Sequence, residues 1–166
     1  MISQQAFEAL ITKFAAAGTA GDGAAFAACF TPDGVYHDYI YGPHQGRASI
    51  AEMLTGLFHR DATDYHWQMF DPITDGHIGY SWSLSNFTST IPQFQGRRVT
   101  IDGMSRFVLK DGLIEEYRES VNGGIAMRQL GVEPERMAKV FDRWSNRLLA
   151  EPHTKAYLQG LGRASN

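Results

Sequence analysis

The stretch GVYHDYIYGP, residues 34–43, surrounds one carboxylate, Asp38, with the side chains of Tyr36, His37, Tyr39 and Tyr41. Read as a strand, it places Tyr36, Asp38 and Ile40 on one face and Val35, His37, Tyr39 and Tyr41 on the other. Helical patterning precedes it. Phe7, Leu10, Ile11 and Phe14 recur at helical spacing, Gly18 to Gly23 interrupt them, and Phe26, Cys29 and Phe30 mark a second short helix. The turn TPDG at 31–34 is expected to open the strand and Gly42-Pro43 to end it. A third helix is predicted from Ser49, whose hydroxyl three residues before Glu52 makes a capping box. Its apolar stripe is Ile50, Met53, Leu54, Leu57 and Phe58.

Beyond Asp64 the pattern changes to strands, at about 64–71, 77–90, 96–110 and 113–122, with turns at Asp75-Gly76, near Pro92 and at Lys110-Asp111-Gly112. A final helical region presents Met137, Val140, Phe141, Trp144 and Leu148 on one face, beside Arg136, Lys139, Arg143 and Arg147. Helices followed by a long meander give an α+β fold. We expect a cone-shaped, curved antiparallel sheet wrapped around three N-terminal helices over residues 1–125, with a C-terminal helical extension over 126–166.

The 166 residues suffice for a sizeable core. The net charge of −3 offers no basic excess for a nucleic acid. A lone cysteine, Cys29, removes any intramolecular disulfide or thiolate zinc site and fits a cytoplasmic setting. Neither a signal peptide nor a membrane span is expected.

The words FAAAGTAGDGAAFAACFTPDGVYHD (14–38), GPHQGRASIAEML (42–54), DYHWQMFDPITDG (64–76) and DGLIEEYRESVN (111–122) resemble the SnoaL-like group of the nuclear transport factor 2-like superfamily. The resemblance covers about residues 5–125. It implies the cone, and a pocket used elsewhere in the superfamily by isomerases, dehydratases, polyketide cyclases, epoxide hydrolases, carbon–carbon lyases and non-catalytic binders. Against ketosteroid isomerases, Asp38 falls at the proton-shuttling carboxylate. Phe14 replaces the enolate-binding tyrosine, and Ser105 stands about where a protonated aspartate is used. Glu119, seven residues after the turn glycine, matches the acid–base carboxylate of polyketide cyclases. His66, nine residues before Asp75, matches a histidine that dehydratases use as a base. The Arg-x-Asp pair of limonene epoxide hydrolase is missing from YSWSLSNF (80–87).

These residues point to a cofactor-independent acid–base enzyme of lyase, isomerase or cyclase type, needing no metal. Desolvation would move Asp38, His66 and Glu119 toward neutrality, where proton transfer is most useful. Alternation along 77–90 is expected to turn Tyr80, Trp82, Leu84 and Asn86 into the cone, leaving Ser81, Ser83 and Ser85 for solvent or a partner in a homodimer. Phe14, Tyr36, Met53, Leu57, Tyr80, Trp82, Asn86 and Ser105 would then orient a small apolar aromatic, polyketide-like or terpenoid-like substrate. The plainer alternatives stand beside these. Asp38 could serve backbone donors or pair with Arg47, His66 could bond Asp64, and the run EEYRE around Glu119 could be a charged outer face. The competing class is a non-catalytic ligand-binding or dimeric interaction module.

Overall fold

The computed structural model describes residues 1–162. It divides into two compact units, the first ending at Leu130. The first unit opens with α1 (Gln4–Ala20) and α2 (Gly23–Ala28). Ser3 Oγ caps α1 by accepting from the Ala6 N–H at 3.2 Å, and Asp22 Oδ1 caps α2 through the Ala25 N–H at 2.9 Å. Gly21 joins them at φ 70°, the left-handed conformation that closes a helix C-terminus. Strands β1 (Phe30–Asp38) and β2 (Gly42–Gln45) then form a hairpin. The TPDG turn expected ahead of the strand is thus part of β1, and the chain after Asp38 reverses into a second short strand. Helix α3 (Arg47–Met53) starts two residues before Ser49, from an N-cap at Gly46 with no side-chain cap. The predicted capping box is absent because Ser49 Oγ meets His44 Nδ1 at 3.3 Å instead. A π-helical turn, Leu54–Phe58, and the short α4 (His59–Asp61) complete this layer.

Four strands follow, β3 (Ala62–Thr74), β4 (Ile78–Ser89), β5 (Arg98–Lys110) and β6 (Leu113–Val121), and α5 (Gly123–Leu130) ends the unit. The sheet runs β2-β1-β6-β5-β4-β3. All its neighbours are antiparallel except β1 and β6, which pair in parallel. One face of the sheet carries the helices. The core between them joins Phe7, Ile11 and Phe14 of α1, Phe26 of α2, and Ile50 and Met53 of α3 to Tyr36, Trp67, Phe107 and Tyr117 of the sheet. Phe14 is the hub. Its ring meets those of Phe26, Phe30, Tyr36, Trp67, Phe107 and Tyr117 at centroid distances from 4.6 to 6.5 Å.

Which residues face this core is set by β-bulges and by one close approach. On β3, Asp64 takes φ 51° and Asp71 φ 48°, each where the register to β4 slips. Aspartate tolerates that left-handed conformation better than most residues. An extra residue in a strand exchanges its two faces from that point on. Hence Tyr65 and Trp67 point inward and His66 outward. A register shift in the β5–β6 ladder between Val108 and Leu109 likewise brings both Ile114 and Tyr117 inward, and Glu119 after them. On β4, Phe7 lies so close over Gly79 that a Cβ there would stand 2.3 Å from Phe7 Cζ. The small residues Gly79, Ser81 and Ser83 therefore face the helices.

The second unit, from Gly131 onward, holds α6 (Pro134–Ala150) and α7 (Pro152–Gly160), each with proline in its first turn. The stripe of Met137, Val140, Phe141, Trp144 and Leu148 lies along α6, with the Phe141 and Trp144 rings 5.8 Å apart. Among the described residues no helix is long and apolar enough to cross a membrane.

Adding a methyl group under Phe7 tests the close approach. Gly79→Ala should lower unfolding free energy in urea by about 1–3 kcal/mol. Phe7→Leu in the same chain should return part of that loss, because the clash needs both partners.

Candidate functional site

Above the aromatic core the first unit encloses a cavity of about 170 Å³. Strand β1 supplies Tyr36 and Asp38, the turn after it Tyr41, and the π-helical turn Phe58. Tyr65 and Trp67 come from β3, Ser83, Ser85 and Phe87 from β4, Ile101 from β5, and Glu119 and Val121 from β6. The end of α5 adds Ala126 and Leu130. The rings of Tyr41, Phe58, Tyr65 and Phe87 follow one another at 6.1, 6.3 and 5.3 Å, an unbroken aromatic wall.

Two carboxylates meet this cavity. Asp38 is 5% exposed, and its Oδ1 accepts from the backbone N–H of Ile40 at 2.8 Å and from that of Tyr41. Those bonds hold the turn 39–41 over the pocket. Arg47, suggested by sequence as its partner, donates instead to the Phe30 carbonyl at 2.9 and 2.7 Å. Glu119 Oε2 accepts from the Tyr117 hydroxyl at 3.0 Å. That hydroxyl also lies 2.9 Å from Ser105 Oγ and is hydrogen bonded to Tyr36. Burial pushes the Glu119 carboxyl up to about 8, the nearby Asp38 charge adds to the rise, and the Tyr117 bond works against it. Burial and the Glu119 charge likewise raise the phenols of Tyr36, Tyr65 and Tyr117. At the rim the Tyr41 hydroxyl donates to Asp61 at 3.1 Å, and burial pushes that phenol up to about 12. A carboxylic acid near neutrality beside a second carboxylate can both take and return a proton.

Of the sequence-predicted residues, the structure brings Tyr36, Asp38 and Glu119 together at the cavity. It does not bring His66, which is exposed on the other face of β3 opposite Asn86. The position count from Asp75 runs across the Asp71 bulge and cannot register the one at Asp64. Tyr80 and Trp82 also face outward, 43% and 37% exposed, with Trp82 against Phe70 at 5.0 Å. Asn86 donates to Thr100 Oγ1 on that outer face. The alternation along β4 is as expected, but its faces are exchanged, because α1 admits only the small side chains of β4. Ser81 Oγ accordingly returns to the Phe70 carbonyl at 2.8 Å, and Ser85 bonds Tyr65. Phe14 and Met53 are core, Leu57 packs against the core, and Ser105 is buried behind the cavity wall against Tyr117. Sequence reasoning missed Tyr41, Phe58, Tyr65, Trp67 and Phe87. Asp64 and Asp71, poor strand formers inside a strand pattern, were the signal for the bulges that turn Tyr65 and Trp67 inward. Among the described residues no group of three His, Cys, Asp or Glu side chains is placed to hold a metal ion.

A sequence profile described as SnoaL-like domain matches residues 11–117. No curated protein matches the sequence. Among solved structures, TsrD from Streptomyces laurentii superposes with a TM-score of 0.70 at 18% identity, covering 80% of this chain and 100% of that one. A hypothetical protein with a ketosteroid isomerase-like fold from Catenulispora acidiphila, in complex with trimethylamine, gives 0.67 at 17% identity over 75% and 93%. An M. tuberculosis LEH-like epoxide hydrolase gives 0.63 at 16% identity over 76% and 90%. At these identities the likeness is one of fold.

The raised Glu119 carboxyl has a consequence for stability. The folded chain holds a proton up to about pH 8 that an ordinary carboxyl releases at 4.5. Its contribution is therefore complete below the lower value and lost as pH rises through the upper one. The melting temperature should fall between about pH 5 and about pH 9. Glu119→Gln should flatten that slope and melt several degrees higher at the alkaline end, as followed by circular dichroism.

Proposed function

The chain belongs to the SnoaL-like domain family, and on that footing we propose that it is a cofactor-independent acid–base enzyme that moves a proton on a small cyclic molecule held in this cavity. The observation that carries the reading is the pairing of Asp38 and Glu119 at one end of an aromatic chamber. Glu119 is the proton carrier, because its carboxyl sits near 8 and titrates in the working range of an enzyme. Asp38, anchored by backbone donors, supplies the charge that keeps Glu119 basic once it ionises. Tyr117, held by Ser105, orients the Glu119 oxygen that it bonds. Tyr36, Tyr65, Ser83 and Ser85 are the hydroxyls available to a substrate oxygen or nitrogen.

The size of the cavity narrows the substrate. An apolar cavity of about 150 Å³ takes up one benzene. The enclosed 170 Å³ therefore fits one ring with a short substituent, and a multi-ring polyketide would have to protrude past Tyr41. The second reading is a small-ligand-binding module of the same fold without catalysis. The Catenulispora neighbour, solved with trimethylamine, supports it.

Homodimerisation belongs on the outer face of the sheet, away from the serines. There Phe70, Trp82 and Met104 line up across β3, β4 and β5, with Arg106 beyond Met104 on one side and Asp102 on the other. Sedimentation should show a dimer for the native chain and a monomer for Trp82→Asp.

Carbon-bound hydrogen exchange in D₂O, read by NMR on a panel of one-ring ketones, enones and amino ketones, tests the enzyme reading. Glu119→Gln should slow exchange by about 10²–10⁴-fold, and Asp38→Asn by at least about tenfold. His66→Ala should exchange like the native chain. Exchange by Glu119→Gln at the native rate would exclude the enzyme and leave the binder.

A further inference from the structure

Removing a proton from the carbon beside a carbonyl leaves negative charge on the carbonyl oxygen, and a donor aimed at that oxygen supplies much of the rate. Among the described residues the cavity lining contains no lysine, arginine or histidine, so the donor is to be found chiefly among hydroxyls. A hydroxyl has one proton to give and two lone pairs with which to accept. That limit separates the hydroxyls that can serve from those that cannot.

The Tyr117 hydroxyl gives its proton to Glu119 Oε2 at 3.0 Å. Its bonds to Ser105, at 2.9 Å, and to Tyr36 can then only be accepted ones, so both of those hydroxyls donate to Tyr117. Tyr36 therefore lines the cavity with its proton already engaged and offers lone pairs alone. Ser83 gives its proton to the Gly103 carbonyl at 3.4 Å, and Tyr41, in the turn at the mouth, gives its own to Asp61 at 3.1 Å. Ser89 is too remote. It stands eight residues along β4 from Ser81, which shares a row with Ser105 and Glu119, and that is roughly 26 Å of strand. The Trp67 indole is a weaker acid than a phenol and is packed against Phe14 at 4.9 Å.

Tyr65 and Ser85 remain. They bond each other, one giving and one accepting, so the pair keeps one proton for a ligand. The phenol is the stronger acid of the two and the better donor to an oxygen gaining charge. With Ser85 donating to the Tyr65 oxygen, the bond that Tyr65 accepts strengthens the one it gives. Burial, with the Glu119 and Asp38 charges, holds this phenol well above its ordinary range, so it keeps its proton at neutral pH. Its ring is fixed by stacking on Phe58 at 6.3 Å and on Phe87 at 5.3 Å. Strands β4 and β5 separate it from Glu119 on β6, so the two groups reach the cavity from different sides.

We propose that Tyr65 is a catalytic residue, the donor that holds the oxygen of a one-ring ketone or enone while Glu119 takes a proton from the adjacent carbon. Ser85 is the positioning residue that leaves the phenol its proton. This deepens the functional reading above and rests on it in one respect, that the cavity is the substrate site. In the step, the C–H bond breaks and its electron pair moves through the carbonyl group onto the oxygen that Tyr65 holds. The proton passes to ionised Glu119, which returns it to carbon as the carbonyl re-forms. The Tyr65 proton is shared throughout and not transferred.

Tyr65→Phe keeps the ring and its stacking and removes only the hydroxyl. With cyclohexanone in D₂O at pH 8, followed by NMR, it should lower kcat for exchange by about 10²–10³-fold and move KM by less than about tenfold. Ser85→Ala should lower kcat by about three- to tenfold. Infrared difference spectra of bound cyclohexanone read the bond without turnover: the C=O stretch should lie lower in the native chain than in Tyr65→Phe. An equal stretch in the two chains would overturn the donor. So would exchange by Tyr65→Phe within about threefold of the native rate while Glu119→Gln still blocks it, and the acid–base reading would then stand. A native chain that binds cyclohexanone and exchanges none of its hydrogens would overturn the acid–base reading and the catalytic part of Tyr65 with it, and the stretch would still decide whether Tyr65 is the donor. Absence of binding and of exchange would overturn both.

Discussion

The seat of the Phe7 ring on Gly79 governs much of what the first unit can do. Helix α1 comes closest to the sheet over β4, which offers small side chains on one face, at Gly79, Ser81 and Ser83. Once α1 docks there, the large residues of β4 must look outward, and the helices approach closely enough for Phe14 to gather the rings of α2, β1, β3, β5 and β6 around itself. That packed floor closes one end of the cone. The space beyond it, which no side chain of α1 fills, is the cavity.

The chemistry of that space depends on bulges. An uninterrupted β6 would put Glu116 and Arg118 on the face of Ile114. With the shift in the β5–β6 ladder, Tyr117 and Glu119 stand there instead. Glu116 and Arg118 pair on the outer face at 3.1 Å, joined by Arg106. Two carboxylates of one short run thus part ways. Glu116 is held below the ordinary carboxyl range, chiefly by Arg118, although its partial burial acts in the opposite direction. Glu119 is lifted by burial and by Asp38. Nothing in the local sequence distinguishes them as acids. Their surroundings do.

Burying two carboxyl groups among aromatic rings is costly, and Glu119 meets that cost by holding its proton up to about 8. Most of the cavity lining comes from strands and helices rather than free loops, which fixes the positions of its carboxyl groups. Ile91 and the segment 39–41 are exceptions, and Asp38 ties the latter down through backbone donors.

The sequence by itself determined the order of elements, the α+β class, the aliphatic and aromatic residues of the helices that enter the core, and the strand status of most of residues 62–121. Each of these follows from periodicity and turn chemistry, which are local. Asp38 and Glu119 were legible as candidates through family resemblance, and Tyr36 through the strand face it shares with Asp38. The tertiary structure alone decided which face of each strand is inside, and so exchanged Tyr80 and Trp82 for Ser81 and Ser83, and His66 for Tyr65 and Trp67. A period of two is the same seen from either side of a sheet, and a single extra residue inverts it. Only the helix that must fit against one face breaks that symmetry.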